Sequence, residues 1–138
     1  MQENVPEQYR KAKIETASPG RLILLGYENI EGAISNAIDF CENKNYLQMN
    51  EELIRAQKII NEFIMALNMG AGQLSNDLFR IYSFWVKKLI EANLNRDAKQ
   101  MLEIKEMVAV LHNSWIEAVK QVDTSVTPTR SSNIEWTG

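Results

Sequence analysis

One cysteine, one histidine and three prolines in 138 residues leave little room for several kinds of chemistry. Cys41 alone cannot close an internal disulfide, so the chain is not a small disulfide-stapled scaffold. A di-iron carboxylate bundle needs Glu-x-x-His on two helices, but the only histidine is His112 and the residue three before it is Ala109. With that histidine far in sequence from Cys41, no zinc ligand set assembles, and the Cys-x-x-Cys-His of covalent haem attachment is absent. Long apolar runs are missing as well. The longest unbroken ones, Phe63 to Leu67 and Met107 to Leu111, fall far short of the roughly 20 residues a membrane span requires. No basic segment followed by an apolar one opens the sequence, which leads us to expect a cytoplasmic protein without membrane insertion.

A surplus of positive charge is lacking too. The net charge is -3 and the pI about 5.2, and Lys and Arg are spread singly except at Arg10-Lys11 and Lys87-Lys88, so no basic stripe is available for nucleic acid. Met69-Gly70-Ala71-Gly72-Gln73 has neither the lysine nor the preceding strand of a phosphate loop. His112 sits beside Leu111 and three residues before Trp115, at the edge of an apolar seam. The segment Asn113-Ser114-Trp115 after it lacks the nearby lysine of a phosphotransfer histidine. The expectation is therefore no enzyme, no cofactor and no metal.

What is present is helical periodicity. Hydrophobic residues make up 45% of the chain, enough for one core in a single domain. In Thr16-Ala17-Ser18-Pro19-Gly20-Arg21-Leu22, Ser18 suits a helix cap and Pro19 the first helical position. Leu22, Leu25, Tyr27, Ile30, Ala33, Ile34, Ala37, Ile38 and Cys41 follow, mostly three or four apart, so the first helix is expected from Pro19 to about Asn43. Gly26 and Gly32 weaken it by about 1 kcal/mol each relative to Ala, which the close approach of another backbone would explain.

Asn45 with Gln48 resembles a capping box. The second helix then carries Met49, Leu53, Ala56, Ile60, Phe63 and Leu67 in a 4-3-4-3-4 seam, with Ile54 and Met65 off it on the outer face. Gly70 and Gly72 are expected to end it. The third helix, about Gln73 to Ala92, has two apolar stripes. Leu74, Leu78, Ile81, Trp85, Leu89 and Ala92 form one; Phe79, Tyr82, Val86 and Ile90 form the other, about 100° away. One stripe satisfies a bundle core, and the second either deepens the burial or serves another partner. Asp97 and Gln100 suit the cap of a fourth helix with Met101, Ile104, Val108, Leu111, Trp115, Ala118 and Val122.

Short connections between such helices specify an all-α, antiparallel four-helix bundle over residues 16–122. Residues 1–15 read as a mobile arm with Tyr9 and Ile14 as docking side chains. Residues 123–138 read as a polar, disordered tail in which Ile134 and Trp136 stand out.

Four motifs in order then resemble one family. Thr16 to Leu22 followed by Leu25 and Tyr27, the Ala56-Gln57-Lys58-Ile59-Ile60 segment, Leu78-x-x-x-Tyr82 with Leu89-Ile90-Glu91-Ala92-Asn93 and Asp97, and Leu111-x-x-x-Trp115 look like the flagellin export chaperone FliS family. The departures are Gly26, where the family usually has leucine, and His112, where arginine is common. The resemblance implies a cytoplasmic chaperone for flagellar type III export. It would bind the disordered C-terminal region of flagellin, prevent premature polymerisation and deliver the subunit to the export gate. The partner-binding candidates are Tyr9 and Ile14, expected to shield the groove until flagellin displaces them, with Ile54, Gln57, Met65, Phe79, Tyr82, Val86, Ile90 and Asn93. For Ile54, Tyr82, Val86 and Ile90 core packing is an equal reading, and Gln57 and Asn93 either bond the client backbone or only cap and solvate. A helical-bundle adaptor for another amphipathic partner helix is the alternative function.

Overall fold

A computed structural model describes residues 18–70 and 72–125, with side chains as far as Val122. Tyr9, Ile14, Ile134 and Trp136 lie outside the described residues. Helix α1 spans Pro19–Glu42, α2 Tyr46–Ala66, α3 Gln73–Asn95 and α4 Ala98–Ser125. Ser18 caps α1 as its sequence suggests, its hydroxyl accepting the Arg21 N–H at 3.2 Å while Pro19 opens the first turn. At the other end the Asn45 N–H reaches the Phe40 carbonyl at 2.8 Å and the Lys44 N–H reaches that of Cys41 at 3.0 Å. Lys44 takes the left-handed conformation (φ 63°) that this paired closure requires.

The α3–α4 turn repeats the device with Arg96 at φ 50°. Asp97 then caps α4 by accepting the Gln100 N–H at 3.1 Å. The Gln100 side chain turns to Glu91 instead of back to the cap. Asn45 occupies the cap position of α2 but makes no side-chain bond there, so of the two expected capping boxes only the Asp97 bond forms.

The second helix ends earlier than its glycines suggest. It stops at Ala66, where Leu67 takes an extended backbone (ψ 143°) that lets its side chain pack against the end of the core. Gly70, at φ 89°, serves the loop beyond. That apolar anchor outweighs another turn of helix through the exposed Asn68 and Met69. At the far end of the chain, α4 continues through Ser125, three residues into the stretch expected to be tail. The next proline after Pro19 is Pro128.

Each helix packs on its neighbours in sequence, and α4 closes the ring against α1, giving an antiparallel four-helix bundle. No strand occurs among the described residues, and none of their helices is long and apolar enough to cross a membrane. The α2 seam from Met49 to Phe63 is buried, as are Met101, Ile104 and Val108 of α4. Near its end α4 departs from the strict seam. Ala118 and Val122 face solvent, and Val119 packs in their place. A straight helix of 3.6 residues per turn drifts away from a 3.5-residue repeat, and here the step from Trp115 to the next inward residue is four. A Cβ on Gly20 would come within 2.9 Å of Val119 Cγ1, so the bare glycine lets α1 and α4 close at this end.

Gly26 also answers to a neighbour, but a ring and not a backbone. A Cβ there would lie 2.5 Å from Cζ and 2.8 Å from Cε1 of Phe63. Gly32 faces open space and has no packing explanation. Cys41 is buried, its Sγ donating to the Arg96 carbonyl at 3.5 Å, and burial raises its thiol pKa above the usual range.

Candidate functional site: apolar surfaces around the third helix

The bundle is centred on an aromatic cluster. Tyr27 packs against Phe63 (ring centroids 5.1 Å apart), edge-on to Trp85 (6.3 Å) and stacked on His112 (5.6 Å). Tyr82 bridges Phe63 and Trp85 at 5.5 and 5.4 Å. Their polar tips meet inside the protein. The Tyr27 and Tyr82 hydroxyls pair at 2.8 Å, and Trp115 Nε1–H donates to Tyr27 Oη at 3.1 Å. Buried polar groups are as a rule bonded, and each polar atom of this network has a partner.

Both phenols are held above the ordinary tyrosine range, chiefly by burial and, for Tyr27, also by the neighbouring Tyr82. In the unfolded chain they ionise near pH 10. The folded state thus keeps protons that the unfolded state releases, and stability falls as pH rises past about 10. Denaturant melts at neutral pH and at about pH 11 should show this loss, with a smaller one in Tyr27→Phe. An equal loss in the two proteins would contradict it.

Tyr82 departs from the stripe the sequence places it on. It is only 3% exposed and joins Leu78, Trp85, Leu89 and Ala92 on the core face of α3, while Leu74 is 66% exposed. The step pattern 78-82-85-89-92 is as good a seam as the expected one, and the hydroxyl partner on Tyr27 favours it. Its partner-binding reading therefore depends on what the core leaves open beside it.

That opening is a pocket of about 230 Å³ where the start of α1, the end of α2, the start of α3 and the later part of α4 meet. Ile23, Phe63, Ala66, Leu67, Leu78, Tyr82 and Trp115 line it, with Asn68 and Ser75 also at its wall. Ile23, the α1 residue that lines it, lies in the second turn of that helix.

A second surface lies along the outside of α2 and α3. Asn93 Nδ2 donates to Asn50 Oδ1 at 2.6 Å, which fixes the register of the antiparallel pair. Seven residues, two turns, along each helix bring Gln57 level with Val86, and seven more bring Ile64 level with Phe79. Ile54 and Ile90 lie one turn from the Asn50–Asn93 pair on the same side. Most of the sequence-derived site residues are thereby brought together. Phe79 and Ile90 are 41% and 44% exposed, Ile54 is 39% exposed, and Gln57, Val86 and Asn93 are half-buried. Met65 is 82% exposed at the outer margin. The Asn93 amide is partly committed to Asn50 and so does more than cap or solvate.

The third surface carries no residue singled out from sequence. Between α3 and α4, the loosest pair of neighbouring helices, runs an open groove of about 370 Å³ lined by Arg80, Ile81, Phe84, Trp85, Met107, Val110 and Leu111. Phe84, Met107 and Val110 lie off their helices' seams, the same signal that drew attention to Ile54 and Met65. The pocket residues Ile23, Leu67 and Ser75 left no such signal, because a pocket at a bundle end depends on how the loops close.

Nothing in this arrangement resembles a catalytic centre. His112 Nδ1 lies 3.0 Å from Glu31 Oε2, but among the described residues no nucleophile joins the pair and the buried Nε2 finds no hydrogen-bond partner. No group of three or more His, Cys, Asp or Glu among the described residues is placed to hold a metal ion. The chemistry on offer is apolar burial with a few hydrogen bonds.

Comparison with known proteins agrees in kind. Residues 1–122 match the family model described as Flagellar protein FliS. The flagellar secretion chaperone FliS of Bacillus subtilis is 30% identical over 112 residues, spanning 81% of this chain and 84% of that one. Its namesake in Salmonella typhimurium is 25% identical over 107 residues, spanning 76% and 79%. That of Escherichia coli is 23% identical over 111 residues, spanning 79% and 82%. With the bundle, the four motifs and the family match in agreement, the chain belongs to the FliS family of flagellar secretion chaperones.

Proposed function

We propose that this chain holds the C-terminal region of unassembled flagellin in the cytoplasm, keeps it from polymerising and delivers it to the flagellar export gate. The observation that carries the reading is the state of α3, which completes the core and still leaves Phe79, Phe84 and Ile90 more than 40% exposed on its two flanks. Exposed apolar surface of this extent is a liability unless a partner covers it. A disordered segment that becomes helical on binding suits grooves on several sides of one helix, because it wraps a large surface at low cost in rigidity.

In this reading Ile54, Gln57, Met65, Phe79, Val86, Ile90 and Asn93 contact the client along α2 and α3, and Tyr82 contacts it from the pocket. Tyr9 and Ile14 cover the pocket in the free protein and give way to the client.

Calorimetric titration with a synthetic flagellin C-terminal peptide, with circular dichroism on the same mixtures, tests the proposal. Saturable one-to-one binding, a gain in helicity and a negative heat-capacity change are expected. Deleting residues 1–15 should tighten the binding; unchanged affinity would remove the covering role of the arm. No binding by either protein would take the flagellin reading away. Equal competition by an unrelated amphipathic helix would favour a general helical adaptor.

A further inference from the structure

The buried network of Tyr27, Tyr82 and Trp115 contains three polar hydrogens and two hydrogen bonds. Trp115 Nε1–H is spent on Tyr27 Oη, and one of the two hydroxyl protons is spent in the Tyr27–Tyr82 bond. One hydroxyl proton remains: Trp115 Nε1–H also leans toward Tyr82, but as a donor it takes up no hydroxyl proton. Its location is decided by burial. If Tyr82 donated to Tyr27, the spare proton would sit on Tyr27, which is fully enclosed among Phe63, Trp85 and His112. A buried donor left without an acceptor is the costlier arrangement. If Tyr27 donates to Tyr82, the spare proton sits on Tyr82, which lines the pocket. The favoured relay therefore runs from Trp115 to Tyr27 to Tyr82, the tyrosine that lines the pocket.

We infer that Tyr82 donates a hydrogen bond into this pocket to a neutral carbonyl oxygen of the bound client segment. The inference rests on the client-holding reading above and adds to it what the pocket selects. No Lys, Arg or His lines the pocket, so a carboxylate would lose its water with no cation to replace it, whereas an amide carbonyl needs only the one donor. A carbonyl in the middle of a helix is already taken by the helix's own N–H, whereas those of the last turn are free. The client segment at this pocket thus ends a helix or runs extended there. It places an apolar side chain among Ile23, Leu67, Leu78 and Trp115 and a backbone or side-chain amide oxygen against Tyr82.

Two phenylalanine variants separate this role from a structural one. Tyr82→Phe removes the outward donor. Tyr27→Phe removes a hydroxyl from the same network, but leaves Tyr82 free to point its proton into the pocket. Both disturb the core by one lost hydroxyl. In titrations with the flagellin C-terminal peptide, Tyr82→Phe should bind about tenfold more weakly and Tyr27→Phe within about twofold of the parent. Equal affinities in the two variants, or the reverse order, overturn the inference and leave the client reading standing. Failure of the parent protein to bind the peptide removes both.

The parent protein provides a second readout that does not depend on how either variant folds. With tyrosine labelled at the ring, the Tyr82 hydroxyl proton should move downfield and exchange more slowly with water when peptide is added. An unmoved resonance in the saturated complex also overturns it.

Discussion

Replacing Gly26 with leucine should lower stability by about 3 kcal/mol, in the upper part of the range for overpacking a core. For a domain of this size that is about 10 °C in melting temperature. Two effects oppose each other at this site. Leaving glycine in mid-helix costs about 1 kcal/mol relative to alanine, so any larger residue gains on propensity. The first carbon added, however, would lie 2.5 Å from Phe63 Cζ. Phe63 is not free to retreat, being 6% exposed and packed against both Tyr27 and Tyr82. The steric cost exceeds the propensity gain, and leucine adds three more carbons to the conflict.

The partner variant makes the explanation specific. Phe63→Ala alone should cost about 3–5 kcal/mol through the cavity it leaves. In that background Gly26→Leu should stabilise by filling the cavity, giving a coupling of about 3 kcal/mol or more between the two sites. Thermal melts of the four proteins of this cycle decide it. Additive losses would mean that the glycine and the ring do not answer each other, and a more stable Gly26→Leu would contradict the packing directly.

The second large effect is on binding and leaves the fold intact. Ser75→Asp should weaken the flagellin peptide by about fiftyfold or more, because a seated apolar side chain would strip water from an unpaired carboxylate. Ser75 lies in the first turn of α3, a turn with no acidic residue and no side-chain cap. A negative charge there complements the helix dipole by roughly 0.5 kcal/mol. The variant should therefore melt no lower than the parent while binding far more weakly. Unchanged affinity would show that the client does not enter the pocket, and a lower melting temperature would show that the helix end is already satisfied in some other way.

Much of the fold is legible in the sequence because core seams are local patterns. Met49 to Phe63 and Met101 to Val108 are buried where their spacing places them, and Ser18 and Asp97 cap where their side chains suggest. The failures arise where a distant partner decides. Two seams, one through Leu74 and Ile81 and one through Tyr82, compete on α3, and the hydroxyl of Tyr27 on another helix selects the second. The end of α2 is set by Leu67 finding the core before the glycines are reached.

The candidate surfaces divide in the same way. Ile54, Met65, Phe79 and Ile90 are visible as apolar residues off a seam, and they do lie at the surface. Ile23 and Ser75 became visible only with the loop closure that builds the pocket. Gly26 marked a close approach correctly, yet nothing local says that the approaching group is the ring of Phe63.

The most direct test of the account is a methyl-resolved NMR titration of the isotopically labelled protein with the flagellin C-terminal peptide. If the client is held around α3, methyl resonances of Ile23, Leu67 and Leu78 in the pocket should shift together with those of Ile54 and Ile90 on the α2–α3 face, saturating at one equivalent. If the peptide saturates the protein while all of these stay in place, the client is bound elsewhere and the central claim fails.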